Sequence, residues 1–266
     1  PYDVNSPLWS DGAVKARWLA LPSGAKIGFA AEGEWKFPAG SVLVKNFSLP
    51  VDDTNPRTLR RLETRLLVCD TNGGVYGATY KWRADNSDAD LVIAGTNELI
   101  TIKTADGTRT QKWFFPGRQD CLTCHTPQSG GVLGVKTRQL NGDFTYPNGV
   151  TDNQLRAWNH LGLFDAKLSE AAIPHFARLV NITNTAAPLE GRVRSYLDAN
   201  CAQCHRPGGV GAFFDARFDT PLKKQNLING SVANQLGLAQ AKVIVPGDTN
   251  QSILYRRISI VGENQM

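Results

Sequence analysis

The sequence CAQCH occupies residues 201–205, and CLTCH occupies residues 121–125 with the same spacing. Each stretch holds two cysteines separated by two residues and followed directly by a histidine. The chain has only 5 cysteines and 4 histidines in 266 residues, so the two stretches use all but one of the cysteines. Random placement of such rare residues would seldom repeat this pattern, and the repeat therefore requires a chemical reason.

Three chemistries use cysteines and histidines at close spacing, and two of them explain this sequence incompletely. A tetrahedral zinc site takes thiolate and imidazole ligands. The two CxxC halves of a zinc ribbon are separated by about 15–20 residues, whereas the first cysteines of the two stretches are 80 residues apart here. A thioredoxin-type dithiol needs neither a second copy nor a following histidine, and no βαβ pattern surrounds either stretch. Both remain alternatives.

The third chemistry, covalent attachment of haem, uses every residue of the pattern. Residues three apart share one face of a helical turn, so Cys201 and Cys204 can both form thioethers with one porphyrin. The adjoining His205 then lies under the ring and binds the iron. The same argument applies to the other motif, whose residues are Cys121, Cys124 and His125. The sequence therefore predicts two covalently bound haem c groups.

A low-spin haem also needs a sixth ligand, usually methionine or histidine. Met266 is the only methionine of the chain and is the expected distal ligand of the second haem. For the first haem we favour His160, which helical spacing places on one face with Ala157 and Phe164. We interpret His175 as structural. A five-coordinate first haem with an open position remains an alternative.

Residues 1–115 have the patterning of β-structure. Short alternating runs of apolar and polar residues predict strands, and the turn sequences DTNGG and ADGTR predict two hairpins between them. The predicted strands are 41–49, 58–69, 75–82, 99–104 and 110–115. We expect an N-terminal antiparallel, β-sandwich-like domain.

From residue 116 onward the pattern changes to helical periodicity and glycine-rich loops, with helices predicted at 151–164, 188–200 and 246–258. The predicted fold class is therefore α+β, with a mainly helical cytochrome c region after the β-rich domain. The predicted boundaries are 1–115 for the β-rich domain, 116–185 for the first haem and 186–266 for the second haem.

Composition and charge restrict the class of protein. Hydrophobic residues make up 41% and charged residues 20%, which is ordinary for a globular domain. No stretch approaches the roughly 18 apolar residues that a membrane span needs. The net charge is +5, but the basic residues are scattered, so no nucleic-acid partner is expected. Because c-type haem is attached outside the bacterial cytoplasm, we expect a periplasmic or extracellular protein whose signal peptide has been removed.

Several stretches together resemble a family of secreted bacterial dihaem c-type cytochromes. They include YDVNSPLWSDG, WFFPGRQDCLTCHTP, VLGVKTRQLN, DNQLRAWNHLGLF and YLDANCAQCHRPGGVG, which are spread over nearly the whole chain. The resemblance implies two haems and a Met-Pro-Pro type motif after the segment VIVPGDTNQSILYRRI. Since the present sequence stops at Met266, the resemblance implies that it has been trimmed where the ligand loop begins.

These observations lead to an expected function and two alternatives. The leading hypothesis is an electron carrier that exchanges electrons with a redox partner, such as a dehydrogenase or another cytochrome, or associates with copies of itself into a haem chain. The second is a dihaem peroxidase or oxidase with one open haem, so whether the chain is an enzyme is left undecided. The third is a binding module stapled by zinc, which would be colourless.

Overall fold

The computed structural model describes residues 1–209 and 213–262. The chain divides into two compact units, Pro1–Leu179 and Val180–Met266. The first CxxCH motif therefore shares a unit with the β-rich segment, and the second motif belongs to the other unit. The domain boundaries predicted at residues 116 and 186 stay predictions.

The first unit is built on a five-stranded antiparallel sheet whose strands follow one another in chain order. The strands are β1 (Val14–Ala20), β2 (Val42–Pro50), β3 (Leu59–Cys69), β4 (Val75–Trp82) and β5 (Ala89–Leu91). Three of them confirm predicted strands, and the turn DTNGG joins β3 to β4 as expected. Strands β1 and β5 are not predicted from the sequence. Strand β5 has only three residues, and β1 buries Arg17 while its apolar residues Val14 and Trp18 are exposed.

A hairpin of β6 (Thr96–Thr104) and β7 (Gly107–Phe115) forms a second, two-stranded sheet, as predicted. Alternate residues of the hairpin pack on the first sheet, so Ile100 and Ile102 are buried while Leu99 between them is 69% exposed. This alternation follows from the two-residue period of strands. The cluster so formed contains Phe47, Leu49, Leu62, Val92, Ile100, Ile102, Trp113 and Phe115.

The first unit has a second hydrophobic core, in which residues distant in sequence pack around a cluster of aromatic side chains. Trp35, Trp158 and Phe164 stack edge-on or tilted, with ring centroids 5.2–6.3 Å apart. Around this core lie only short elements: α1 (Arg118–Cys121), α2 (Thr137–Leu140), β8 (Asp143–Thr145), β9 (Thr151–Asn153) and α3 (Gln154–His160). The segment after β7 is therefore held by tertiary packing more than by regular structure.

The second unit has two α-helices, α4 (Leu189–Asn200) and α5 (Ile253–Ser259), in its described residues. Its core contains Leu197, Ala202, Phe214, Ala216, Leu227 and Val243. Long loops supply most of these residues. No helix in the described part of the chain combines the length and apolar character required to cross a bilayer.

The expectation of an α+β fold with a mainly helical region after residue 115 is wrong. The structure is 29% strand and 17% helix. The 12-residue α4 confirms the helix predicted at 188–200, but α3 and α5 have only 7 residues each and α1 and α2 only 4. Short helical periodicity is weak support for a helix, since forming the first turn is costly. Glycines in left-handed conformation, including Gly162 at φ +65°, then end the turns that do form.

We expect Ile100→Ala to lower the free energy of unfolding of the first unit by about 2–5 kcal/mol, because it removes a fully buried side chain between the hairpin and the sheet. Leu99→Ala in the same strand is the matched control and should change stability by less than about 0.5 kcal/mol. Urea unfolding followed by tryptophan fluorescence measures both. Equal losses in the two variants would contradict the packing of the hairpin described here.

Candidate functional site

Each CxxCH motif forms one closed helical turn. The backbone amide of His125 donates to the carbonyl of Cys121 at 3.0 Å, and that of His205 donates to the carbonyl of Cys201 at 2.9 Å. In both motifs the amide of the second cysteine donates to the same carbonyl, at 3.3 Å and 3.1 Å respectively. Two stretches that share a sequence pattern thus share a backbone conformation, which places residues three and four apart on one side.

The four motif cysteines differ from the fifth in exposure. All five cysteines are described, and none is in a disulfide. Cys69 is buried in the core, as expected, and burial followed by the charge of Asp70 raises the pKa of its thiol. The motif cysteines are only partly buried. Burial, followed by the neighbouring Cys204, raises the pKa of Cys201 to about 11, so this residue is a protonated thiol at neutral pH.

A glycine of the central sheet makes room for the first motif. Cys121 ends α1 and lies against β4, where a Cβ added at Gly77 would be 2.4 Å from its Sγ atom. Any larger residue at position 77 would therefore displace the thiol. The start of this short helix is fixed by Asp120, whose carboxylate accepts a hydrogen bond of 2.8 Å from the Gly117 amide. Sequence patterns give no sign of the contact between Gly77 and Cys121, because it joins residues 44 positions apart.

The ring of His125 is oriented by a backbone carbonyl. Its Nδ1 atom lies 2.7 Å from the carbonyl oxygen of Gly131. Because a carbonyl oxygen only accepts, Nδ1 carries the proton and Nε2 keeps the lone pair. Burial lowers the pKa of His125, as do the charges of Lys45 and Arg65, while the bond to Gly131 opposes the shift. Neutral imidazole with an available Nε2 is the form that binds metals.

The second motif is an extension of α4. The Cys201 amide donates to the carbonyl of Leu197 at 2.8 Å, so the helix leads directly into the motif turn. The ring of His205 stacks on Phe214 with a centroid distance of 4.1 Å and an angle of 14°. The His205 carbonyl also accepts from the amide of Ala216 at 2.9 Å. These contacts fix the plane of the imidazole.

The two histidines outside the motifs are both exposed and end short helical elements. His160 is the exposed last residue of α3. Since α3 ends there, Phe164 lies beyond the helix and is buried in the core, so the expected helical face does not exist. His175 ends a short 3-10 turn and is also exposed. Met266 lies outside the described residues.

A zinc site and a haem site need different numbers of ligands from the protein. Within residues 1–209 and 213–262, no three His, Cys, Asp or Glu side chains form a group that could hold a metal ion. A structural zinc site takes four such side chains. Haem iron takes four nitrogens from the porphyrin and requires only the proximal histidine from the protein. One histidine beside two thiols, as each motif supplies, is sufficient for a covalently attached haem.

Comparisons of the chain with protein-family models, curated proteins and solved structures found no match. The resemblance to secreted dihaem cytochromes, drawn from the motif stretches, therefore stays a prediction.

We expect Gly77→Ala to lower the free energy of unfolding of haem-free protein by about 1–3 kcal/mol, because the new methyl group overlaps the Cys121 thiol. Adding Cys121→Ala should recover part of the loss, since it removes the overlapping sulfur. Gly191→Ala is the control, because a Cβ at that helical position meets nothing within 4 Å. Urea unfolding measures all four proteins. A Gly77→Ala variant as stable as the parent would contradict the contact.

Proposed function

We propose that this chain is a dihaem c-type cytochrome that carries electrons outside the cytoplasm. The observation that carries the proposal is the repeated motif turn, in which two thiols and a histidine lie on one helical turn at both sites. At the first site the bond from His125 to Gly131 adds support, because it leaves Nε2 for the iron. Haem iron supplies a one-electron ferric/ferrous couple when it is bound.

The residues of the chain have distinct tasks in this proposal. Cys121, Cys124, Cys201 and Cys204 hold the porphyrins through thioether bonds. His125 and His205 hold the two irons, and their rings are kept in one orientation by the Gly131 carbonyl and the Phe214 ring respectively. Fixed ligands limit the rearrangement that accompanies a change of charge, which favours electron transfer.

The place and the partner follow from the cofactor. Covalent haem attachment occurs outside the bacterial cytoplasm, so the proposed location is the periplasm or the cell exterior. The proposed partner is a redox protein, either a dehydrogenase or another cytochrome, or a second copy of this chain in a haem chain. A carrier of this kind needs no substrate pocket, because electrons cross between prosthetic groups at the protein surface.

We expect the protein to contain two covalently bound haems when it is produced in a host with the c-type haem attachment machinery. Intact mass and a pyridine haemochrome spectrum count the haems. The double variants Cys121→Ala/Cys124→Ala and Cys201→Ala/Cys204→Ala should each lose one haem, because each removes both thioether positions of one motif. Cys69→Ala is the matched control and should retain both. A colourless parent protein with the mass of the bare polypeptide would overturn the proposed function.

The proposed distal ligands, His160 for the first haem and Met266 for the second, are tested by ligand substitution. His160→Ala should convert the first haem from low-spin to high-spin, whereas His175→Ala should leave both haems unchanged. Met266→Ala should abolish the near-infrared band of methionine ligation. Near-infrared magnetic circular dichroism measures these changes. A first haem that is high-spin in the parent, together with turnover of hydrogen peroxide, would instead indicate a peroxidase.

A further inference from the structure

One face of the central sheet carries a row of cations that directly oppose one another. Arg17 on β1 pairs with Lys45 on β2, and Lys45 pairs with Arg65 on β3. Side chains of directly opposed residues lie on the same face and about 5 Å apart. Like charges in this arrangement repel, so the row destabilises the sheet unless anions offset it. We call Arg17, Lys45 and Arg65 the cation row.

Carboxylates offset only part of this charge. Arg17 is paired with Asp3, and Arg65 is paired with Glu63 at 2.6 Å. Lys45 lies over the ring of Phe47, 5.0 Å from its centroid. Among the described residues no carboxylate lies within ion-pair distance of Lys45. Burial, followed by the charges of Arg17, Arg65 and Lys15, holds the pKa of Lys45 well below its ordinary value, and the charge of Glu63 opposes this shift.

The strand that continues this row carries a hydroxyl group without a partner. Thr79 on β4 is paired with Arg65 and is 1% exposed. Its Oγ1 atom is buried and makes no hydrogen bond to any protein group. A buried hydroxyl without a partner is costly. Together with Lys45, which makes no ion pair among the described residues, it provides hydrogen-bond donors beside the cation row.

The cation row lies beside the first motif and on the same face of the sheet. Gly77, over which the Cys121 thiol packs, is two residues before Thr79 on β4 and therefore faces the same way. Two residues of a strand span about 7 Å, and each neighbouring strand adds about 5 Å. By this measure Lys45 lies on the order of 12 Å from the Cys121 position. The charges of Lys45 and Arg65 also act on His125.

We propose that the cation row and Thr79 form the binding site for the propionate groups of the first haem, an inference that rests on the proposed function. A porphyrin forms its thioether bonds through the vinyl groups on one edge, and its propionate groups are attached at the opposite edge. Haem held at Cys121 would lie beside Gly77 and could reach over the sheet face toward the row. Its carboxylates then accept hydrogen bonds from Lys45 and the Thr79 hydroxyl, and they offset the repulsion along the row.

The test is Lys45→Gln in the complete two-haem protein, with Lys45→Arg as the conservative variant and Lys112→Gln as the control. Lys112 is an exposed residue of β7, so its replacement removes the same charge from the same unit. A propionate beside Lys45 would favour the charged form of its amine, and loss of that cation beside the haem favours the ferric form. Lys45→Gln should therefore shift the ferric/ferrous equilibrium of the first haem about tenfold toward ferric, a fall of about 59 mV in its midpoint potential. Lys45→Arg and Lys112→Gln should leave the potential near that of the parent.

A second readout reports the propionates themselves. Resonance Raman propionate bending bands of the first haem should shift in Lys45→Gln and also in Thr79→Val, which removes only the hydroxyl. Thr79→Val should not lower stability, because Oγ1 has no protein partner to lose. It therefore provides a test even if Lys45→Gln does not fold.

The outcomes separate this inference from the proposed function. Suppose that both haems are present, that Lys45→Gln changes neither the potential nor the propionate bands, and that Thr79→Val leaves the bands unchanged. This result would overturn the propionate site and leave the cytochrome proposal intact. A parent protein without haem would overturn both. A fall in potential that Lys45→Arg restores, with shifted propionate bands in Thr79→Val, would support the site.

Discussion

The hydrogen bond that closes each motif turn, from the histidine amide to the carbonyl of the first cysteine, is the constraint on which the proposed site depends. It places two sulfurs on one side of a single helical turn and the histidine immediately after them. Such a turn is too short to be stable alone. Both copies are therefore supported from outside, by the central sheet at the first motif and by α4 at the second.

The two motifs obtain the same local geometry from different surroundings. The first depends on Gly77 of β4, whose missing side chain admits Cys121, and on the Gly131 carbonyl that orients His125. The second depends on α4, which continues into Cys201, and on Phe214 beneath the imidazole of His205. The same short sequence pattern thus adopts the same turn at both places, while different neighbouring elements hold each turn in position.

Under the proposed function, the cation row would give the β-rich segment a role in binding haem as well as in folding. Arg17, Lys45 and Arg65 lie in direct opposition on one sheet face, and the ion pairs of Arg17 with Asp3 and of Arg65 with Glu63 offset only part of their repulsion. The row is flanked along the same face by the apolar residues Leu43 and Phe47. The first motif and these strands belong to one compact unit.

The sequence by itself determined what local spacing can encode. The two CxxCH motifs, the strands β2, β3, β4, β6 and β7, the DTNGG turn and the helix α4 were predictable, because each depends on residues close together in the chain. The sequence did not determine the proportion of helix after residue 115. Periodicity over a few residues does not decide whether a helix forms, and packing limited α3 to residues before Gly162.

Only the tertiary structure decided the surroundings of the motifs. The contact of Gly77 with Cys121 and the pairing of Arg17, Lys45 and Arg65 join residues from separate strands and a distant turn. Which residues oppose one another depends on the register of three strands, and a shift of one residue would send every side chain to the other face. That register is set by the burial of the whole sheet, and no short stretch of sequence contains it.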